Sequence, residues 1–307
     1  MELTFFGVRG SYPVARRDQL RYGGNSTCLH LRSASGQELI LDGGSGIRLL
    51  GDEMMGRAFG TGRGTAILLI SHTHWDHILG LPFFTPFYQA GNRFVIIAPG
   101  GIGAHIRDIL SGQQNAINFP ISMDHFQARL EYMLLRPSDP LVLGTFRVQA
   151  VQLNHPGLTV GYRIEADECA VTVFTDAARV REVRLGTGMG GPRPDDGFTR
   201  DYLDRLVDCA RDADVLVHDA HFFEHEIRDH YHYGHSTVED ALEIAHRANV
   251  GRLFLFHHHP QRSDLAVDEQ EALARDLCRG TGLRVDAAQE GARISVVRSA
   301  GTQAVSL

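Results

Sequence analysis

The sequence predicts an α/β fold rich in β-strands, and three observations support this fold class. Short apolar runs, such as residues 65–70, recur along the chain and end at polar residues or glycine, which is typical of buried strands. Amphipathic segments of helical length, such as 47–55, stand between these runs. Hydrophobic residues make up 43% of the 307 residues, which is enough for a substantial core.

The first half of the chain predicts strands with helices between them. A strand at 2–6 leads into two glycine-rich segments, and the runs 28–31 and 38–41 predict a hairpin. Residues 111–120 are polar and irregular, which favours a surface excursion or a lid. Further strands are predicted at 65–70 and 93–98, and helices at 47–55 and 102–110.

The second half of the chain is dominated by strands. Residues 184–200 are rich in glycine and poor in apolar side chains, which predicts a flexible loop. Ser236 and Glu239 form a capping box that predicts a helix beginning at Thr237. Strands are predicted at 131–135, 146–152, 159–164, 170–174, 214–217, 252–256, 283–286 and 293–297, and helices at 202–211, 237–248 and 267–279.

Charge and cysteine content limit the possible partners. The formal net charge of -7 gives no basic surface for a long polyanion, which weighs against a stable complex with tRNA or DNA. The four cysteines contain no CxxC pair, which indicates reduced thiols rather than a disulfide framework. No signal-peptide pattern and no membrane-length apolar stretch is found, so we expect a cytoplasmic protein without a membrane partner.

The segment His72-Thr73-His74-Trp75-Asp76-His77 begins where the predicted strand 65–70 ends. In an extended chain His72 and His74 point the same way, and a turn after Trp75 brings Asp76 and His77 to an adjacent position. Imidazole and carboxylate groups are ligands that zinc prefers, and four such groups within six residues are not explained by core packing. This spacing predicts a site for two metal ions.

This His-x-His-x-Asp-His motif resembles the signature of the metallo-β-lactamase superfamily. The glycine-rich segments 7–13 and 22–25, together with Gly234-His235-Ser236-Thr237, are similar to the ribonuclease Z and cyclic-nucleotide phosphodiesterase branch. The resemblance spans nearly the whole chain and implies one domain, residues 1–307, with the four-layer αββα sandwich of that superfamily. Its relatives also suggest a homodimer.

The same resemblance implies two divalent metal ions, with zinc favoured and manganese or iron as alternatives. His155 matches the third histidine ligand, and Asp176 matches the carboxylate that bridges both metals. His257 matches the last ligand, with His259 as a distant second choice. The implied arrangement has His72, His74 and His155 on one metal, Asp76, His77 and His257 on the other, and Asp176 between them.

The Gly-His-Ser-Thr segment resembles the loop whose histidine serves the leaving group, which makes His235 the candidate proton donor. Asp219 occupies the acidic position of a second segment that resembles ribonuclease Z, in which His221 stands where the family usually has a hydroxyl residue. The implied reaction is attack by water, oriented by Asp76, on a phosphodiester. His235, paired with Asp219, would then protonate the departing alkoxide.

The predicted substrate is a small phosphodiester such as a cyclic nucleotide. Ribonuclease Z typically carries a basic arm for tRNA between the third histidine and the bridging aspartate, and residues 156–175 are too few for such an arm. A ribonuclease Z-like endoribonuclease, a lactone or thioester hydrolase, and a metal-bearing interaction module are the alternatives. Arg9, Asn25 and residues 184–200 are candidates for substrate contact, although an ordinary loop role is favoured for Arg9 and Asn25.

Overall fold

The computed structural model describes residues 1–100, 106–117, 119–136, 140–179, 196–230 and 233–298. The strands of this part of the chain are β1 Glu2–Gly7, β2 Cys28–Arg32, β3 Glu38–Leu41, β4 Thr65–Leu69, β5 Arg93–Pro99, β6 Arg129–Leu135, β7 Leu141–Leu143, β8 Phe146–Gln152, β9 Val160–Ala166, β10 Cys169–Phe174, β11 Val215–Asp219, β12 Arg252–Phe256, β13 Arg284–Ala287 and β14 Arg293–Ser295. The helices are α1 Ile47–Met55, α2 Trp75–Ile78, α3 Ile106–Gln113, α4 Asp196–Ala210, α5 Glu224–His230, α6 Val238–Arg247 and α7 Asp264–Leu277. None of these helices has both the length and the apolar character needed to cross a membrane.

Two seven-stranded sheets face each other. The first has the strand order β14-β1-β2-β3-β4-β5-β6, and the second has the order β13-β12-β11-β10-β9-β8-β7. Side chains alternate along a strand, so Ile67 and Leu69 of β4 pack between the sheets while Ala66 and Leu68 pack on the opposite face. Because both faces of β4 are buried, its sequence is a continuous apolar run.

Helices cover the outer face of each sheet. Leu50 of α1 and Leu110 of α3 pack in the core outside the first sheet. Leu206 of α4, Leu242 of α6 and Ala274 of α7 pack in the core outside the second sheet. The prediction of an αββα sandwich is therefore confirmed.

The direction of the strands brings their ends together. Strands β3 to β6 are parallel in the first sheet, and strands β10 to β13 are parallel in the second. Strand β8 is antiparallel to β9, which is antiparallel to β10, so β8 ends at the same edge as β10. Parallel strands of an α/β fold present the residues at their carboxyl ends along one edge, where binding sites are usually found.

Some predicted elements differ from the observed ones. Helix α4 begins at Asp196, inside the segment 184–200 that predicts a loop, and residues 184–195 lie outside the described part of the chain. The first four residues of the helix predicted at 102–110 also lie outside it, and α3 continues to Gln113. Strand β7 and helix α5 have only three and seven residues, which is too short for a clear periodic pattern.

The capping box predicted from Ser236 and Glu239 is wrong by one residue. The N-cap of α6 is Thr237, whose Oγ1 accepts a hydrogen bond from the Asp240 amide, and Asp240 accepts one from the Thr237 amide. Ser236 instead donates its hydroxyl hydrogen bond to the Ala177 carbonyl, on the loop after β10. Serine and threonine are both good N-caps, so the tertiary contact of Ser236 decided which residue begins the helix.

We predict that Thr237→Ala lowers the free energy of unfolding by about 1 kcal/mol, because the Asp240 amide loses its partner at the helix N-terminus. Glu239→Gln is the matched control, since Glu239 does not take part in the observed box. Denaturant unfolding of both variants measures the difference. Equal stability of Thr237→Ala and the unchanged protein would contradict the assigned cap.

Candidate metal centre

Polar residues at the carboxyl ends of strands from both sheets meet at one edge of the sandwich. His72 follows β4, and helix α2 begins directly after His74, so Asp76 and His77 lie in its first turn. The turn predicted after Trp75 is this helix. The second sheet contributes His155 after β8, Asp176 after β10, Asp219 as the last residue of β11, and His257 after β12.

The first cluster consists of His72, His74 and His155, whose ligand nitrogens all lie within 4.8 Å of one another. His155 Nδ1 donates a hydrogen bond to the Gly234 carbonyl at 2.8 Å, which leaves Nε2 at 3.0 Å from His74 Nδ1. Burial lowers the pKa of His155 to about 4 and that of His72 well below its ordinary value. Both rings are therefore neutral at pH 7, which is the form that binds a metal ion.

The second cluster consists of Asp76, His77, Asp176 and His257, all of them buried. His77 Nε2 lies 3.1 Å from Asp176 Oδ1, and His257 Nε2 lies 3.2 Å from Asp76 Oδ2. Burial raises the pKa of Asp176, but the neighbouring His257, His77 and His72 lower it further, so the net shift is well below its ordinary value. Asp176 is therefore a carboxylate at neutral pH.

Asp176 lies between the two clusters. Its Oδ1 is 3.1 Å from His77 Nε2 and 3.3 Å from His257 Nε2 in the second cluster. Its Oδ2 faces the first cluster, at 3.9 Å from His72 Nε2 and 3.7 Å from His155 Nε2. This is the position that a carboxylate bridging two cations requires.

Several buried atoms of the two clusters have no hydrogen-bond partner. They are His72 Nε2, His77 Nε2, His257 Nδ1 and Asp176 Oδ1. A buried polar atom left unpaired costs about 1–3 kcal/mol, so such atoms usually have a partner of another kind. Lone pairs of imidazole and carboxylate pointing into a common space are suited to divalent cations, so these residues fit the ions that the fold implies.

Asp42 is a buried residue of the site that sequence reasoning missed. Its carboxylate accepts a hydrogen bond from His77 Nδ1 at 2.8 Å and two from the amide and hydroxyl of Ser71 at 2.7 Å each. The bond to Nδ1 fixes the tautomer of His77 and leaves its Nε2 free for the cluster. The available signal was a carboxylate at the carboxyl end of the parallel strand β3, directly before two glycines.

The loop 9–12 also reaches the site, through its backbone. The Ser11 amide donates a hydrogen bond of 2.7 Å to Asp76 Oδ2. Ser11 has a φ of 62°, in the left-handed region, and this conformation belongs to the tight turn that aims the amide at Asp76. A backbone donor leaves no sequence pattern, so this contact was not predicted.

His235 and Asp219 form a buried pair beside the clusters. His235 Nδ1 donates a hydrogen bond of 2.8 Å to Asp219 Oδ2 and lies 3.9 Å from Asp176 Oδ2. The amides of Ala177 and His221 also donate to the Asp219 carboxylate. Burial lowers the pKa of His235, but the Asp219, Asp176 and Asp76 carboxylates together raise it, and the net shift is upward.

The geometry would also allow His235 to bind a cation. A ligand atom of His235 lies within 4.8 Å of those of His155 and Asp176, and His235 belongs to a second such group with Asp219, His221 and His257. Its Nδ1 is already engaged by Asp219. The two roles of His235, proton donor and metal ligand, therefore require a direct test.

Arg9 and Asn25 bind protein groups. The fully buried guanidinium of Arg9 donates hydrogen bonds to the Gly23 and Arg262 carbonyls at 2.8 and 2.9 Å. The side chain of Asn25 donates to Glu290 at 2.7 Å and accepts from Ser45 Oγ at 2.9 Å. Both residues therefore have the ordinary loop role that the sequence favoured.

Among the three consecutive histidines after β12, His257 alone belongs to a cluster. His258 Nε2 donates to the Ala288 carbonyl at 2.8 Å, and His259 Nδ1 accepts from the Gln261 amide at 3.1 Å. His257 has a φ of 57°, a left-handed conformation that a residue with a side chain rarely adopts and that is found at functional sites as well as in turns. His257 therefore remains our proposed last ligand in preference to His259.

This chain is similar to a known protein family and to several curated proteins. A family model described as "Beta-lactamase superfamily domain" matches residues 53–193. Ribonuclease Z of Natronomonas pharaonis is 29% identical, and the match covers 84% of this chain and 86% of that protein. Ribonuclease Z of Staphylococcus aureus strain MSSA476 is 26% identical, with 84% and 88% covered.

Solved structures share the fold at lower identity. The short form of human tRNase Z has a TM-score of 0.65 and 19% identity, and covers 97% of this chain and 100% of that chain. A diphosphatase from the PhnP family has a TM-score of 0.60 and 17% identity, with 97% and 98% covered. Zn(2+)-bound PqqB from Methylobacterium extorquens has a TM-score of 0.65 and 15% identity, with 96% and 100% covered.

We predict that the purified protein binds about two divalent ions per chain and that Asp176→Ala binds fewer, because a bridging carboxylate offsets the repulsion between neighbouring cations. Elemental analysis after removal of excess metal measures the occupancy. Asp52→Ala is the control, since Asp52 pairs with Arg48 on an exposed face of α1. Full double occupancy in Asp176→Ala would count against the bridging position.

We also predict that Asp42→Ala weakens metal binding by about tenfold to a hundredfold, because His77 loses the partner that orients its ring. Asp42→Asn is the matched control. Asparagine tolerates the left-handed conformation that Asp42 adopts at a φ of 61°, and its side-chain oxygen can still accept from His77 Nδ1. Competition with a chromogenic chelator measures both affinities, and unchanged affinity in Asp42→Ala would refute the role of Asp42.

Proposed function

We propose that this chain, which belongs to the metallo-β-lactamase superfamily, is a metal-dependent hydrolase of nucleotide phosphodiester bonds. The curated relatives are ribonucleases by name, which supports a phosphodiester as the bond that is cleaved. Divalent ions in the two clusters would supply positive charge for the phosphoryl oxygens and activate the attacking water. We assign the orientation of that water to Asp76, whose carboxylate accepts a hydrogen bond from the Ser11 amide.

The observation that carries this proposal is the buried Asp219–His235 pair at the edge of the clusters. A ribose alkoxide is a poor leaving group and needs a proton, which a histidine with a raised pKa can donate. Asp219 is fixed by two backbone amides, so it holds the imidazole in one tautomer. A thioester expels a thiolate, which leaves without a proton, so this pair favours phosphodiester over thioester hydrolysis.

Two substrate classes compete. The ribonuclease Z relatives favour RNA, against the expectation of a small substrate from the sequence. The net charge of -7 and the short connection between His155 and Asp176 favour a small nucleotide, because a long polyanion needs a basic surface. In this connection, β9 and β10 form an antiparallel hairpin and no arm is inserted. We therefore propose small phosphodiesters, including cyclic nucleotides, as the substrates, with ribonuclease Z-like cleavage of RNA as the second candidate.

Other expectations from the sequence remain predictions. These are the single domain of residues 1–307, the homodimer, zinc as the resident metal and the cytoplasmic location. The lactone hydrolase and the interaction module are the remaining alternatives, and the assays below include a lactone for this reason.

We predict that His235→Ala slows hydrolysis of a cyclic nucleotide by about a hundredfold to ten-thousandfold, because the alkoxide then leaves without a proton. A nitrophenyl phosphodiester should be affected much less, since nitrophenolate departs unassisted. Steady-state kinetics on both substrates and elemental analysis of the variant are the measurements.

The control for this prediction is His246→Ala, because His246 is an exposed histidine of α6. It should change neither rate. Equal losses of His235→Ala on both substrates, or a loss of bound metal, would make His235 a metal ligand or a structural residue and would exclude the proton-donor role.

Parallel assays of the metal-loaded protein on a cyclic nucleotide, a linear dinucleotide, a tRNA precursor with a 3′ trailer and a lactone decide the substrate class. We predict hydrolysis of the small phosphodiesters and inefficient cleavage of the tRNA precursor at physiological salt. Efficient and accurate trimming of the trailer would favour the ribonuclease Z-like function. Hydrolysis of the lactone alone would overturn the phosphodiesterase proposal.

A further inference from the structure

His221 is a buried histidine that the proposed chemistry does not use. It lies in the segment after β11, two residues beyond Asp219, and only 2% of it is exposed. A buried ring beside a catalytic pair needs a physical account.

The ring of His221 packs flat against the ring of His235. The ring centroids are 4.3 Å apart and the planes differ by 21°. Asp219 holds His235 through one hydrogen bond at Nδ1, and a single bond leaves the imidazole free to tilt about that contact. A parallel ring in van der Waals contact removes this freedom, because tilting would bring the two rings into collision.

His221 is itself fixed on three sides. Its amide donates to Asp219 Oδ1 at 3.0 Å, and its carbonyl accepts from the Arg262 guanidinium at 2.8 Å. Its Nδ1 donates to the His257 carbonyl at 2.7 Å, next to the left-handed turn of that residue. His221 therefore contacts both the Asp219–His235 pair and the backbone of His257, a proposed metal ligand.

Gly10 gives a second, independent sign that this position is adapted to a ring. A Cβ atom at Gly10 would lie 2.9 Å from His221 Cε1 and 2.4 Å from His257 Nδ1. Real Cβ atoms essentially never approach other atoms more closely than 3.0 Å. The absence of a side chain at residue 10 thus makes room for both imidazoles.

We propose that His221 is a positioning residue that holds the His235 ring in the orientation required for proton donation to the leaving group. This inference rests on the proposed phosphodiesterase function. In this role His221 acts through His235.

Two variants separate the ring of His221 from its hydrogen bond. His221→Asn keeps a donor near the position of Nδ1 but removes the ring, whereas His221→Phe keeps a ring but removes the donor to the His257 carbonyl. His230→Ala is the control, because the His230 ring stacks on Phe222, and its Nδ1 donates to the Glu226 carbonyl. The readout is the ratio of kcat on a cyclic nucleotide to kcat on a nitrophenyl phosphodiester.

We expect His221→Asn to lower this ratio by about tenfold to a hundredfold, as a misplaced catalytic group does. His221→Phe and His230→Ala should leave the ratio unchanged. The double variant His221→Asn/His235→Ala should have the same ratio as His235→Ala alone, because both changes remove one function. An unchanged ratio in His221→Asn, a fall of the same size in His221→Phe, or multiplied losses in the double variant would overturn the proposal.

Crystal structures of the same variants separate this inference from the proposed function. The His235 ring should stay parallel to residue 221 in His221→Phe and should turn or become disordered in His221→Asn. A single unchanged orientation in His221→Asn would disprove positioning, whatever the reaction is. If His235→Ala instead slowed hydrolysis of the cyclic nucleotide and of the nitrophenyl phosphodiester equally, the proton-donor function would be disproved. The orientation of the His235 ring in the His221 variants would still show whether His221 positions it.

Discussion

The structure of the site depends on one buried carboxylate, that of Asp176. Its two oxygens face two different groups of imidazoles across distances of 3.1 to 3.9 Å. A buried carboxylate is stable only beside compensating positive charge. Cations between Asp176 and the imidazole lone pairs that face it would supply that charge. The surrounding carboxylate of Asp42 and the Gly234 carbonyl then fix which nitrogen of His77 and His155 faces this space.

The fold delivers these groups because strands of both sheets end at one edge. Burial on both faces forces β4 and β12 to be apolar up to their last residues, so the first polar residues after each strand lie at the rim of the core. There they are shielded from water but not packed as core. This explains why single residues such as His155 and His257 can meet, although they lie far apart in the sequence.

The site joins two kinds of chemistry in adjacent space. The clusters around Asp176 suit cations, and the Asp219–His235 pair suits transfer of a proton. The proposed reaction needs both, because the ribose alkoxide that leaves a phosphodiester is a strong base. In our proposal the parallel ring of His221 behind His235 serves the same arrangement, since a proton donor works only when its free nitrogen points at the leaving atom.

The sequence by itself predicted the fold class, most of the strands and the motif from His72 to His77, because apolar runs and the density of histidines are local signals. The other cluster residues, His155, Asp176 and His257, were predicted only through the family resemblance. The tertiary structure decided what depends on contacts between distant segments. In the folded chain Arg9 is buried and donates hydrogen bonds to loop carbonyls. Ser236 binds the Ala177 carbonyl, so Thr237 is the helix cap. Asp42 and the Ser11 amide contact residues of the clusters. A backbone amide or a single aspartate carries no pattern in the sequence, so its role is set only when the chain has folded around it.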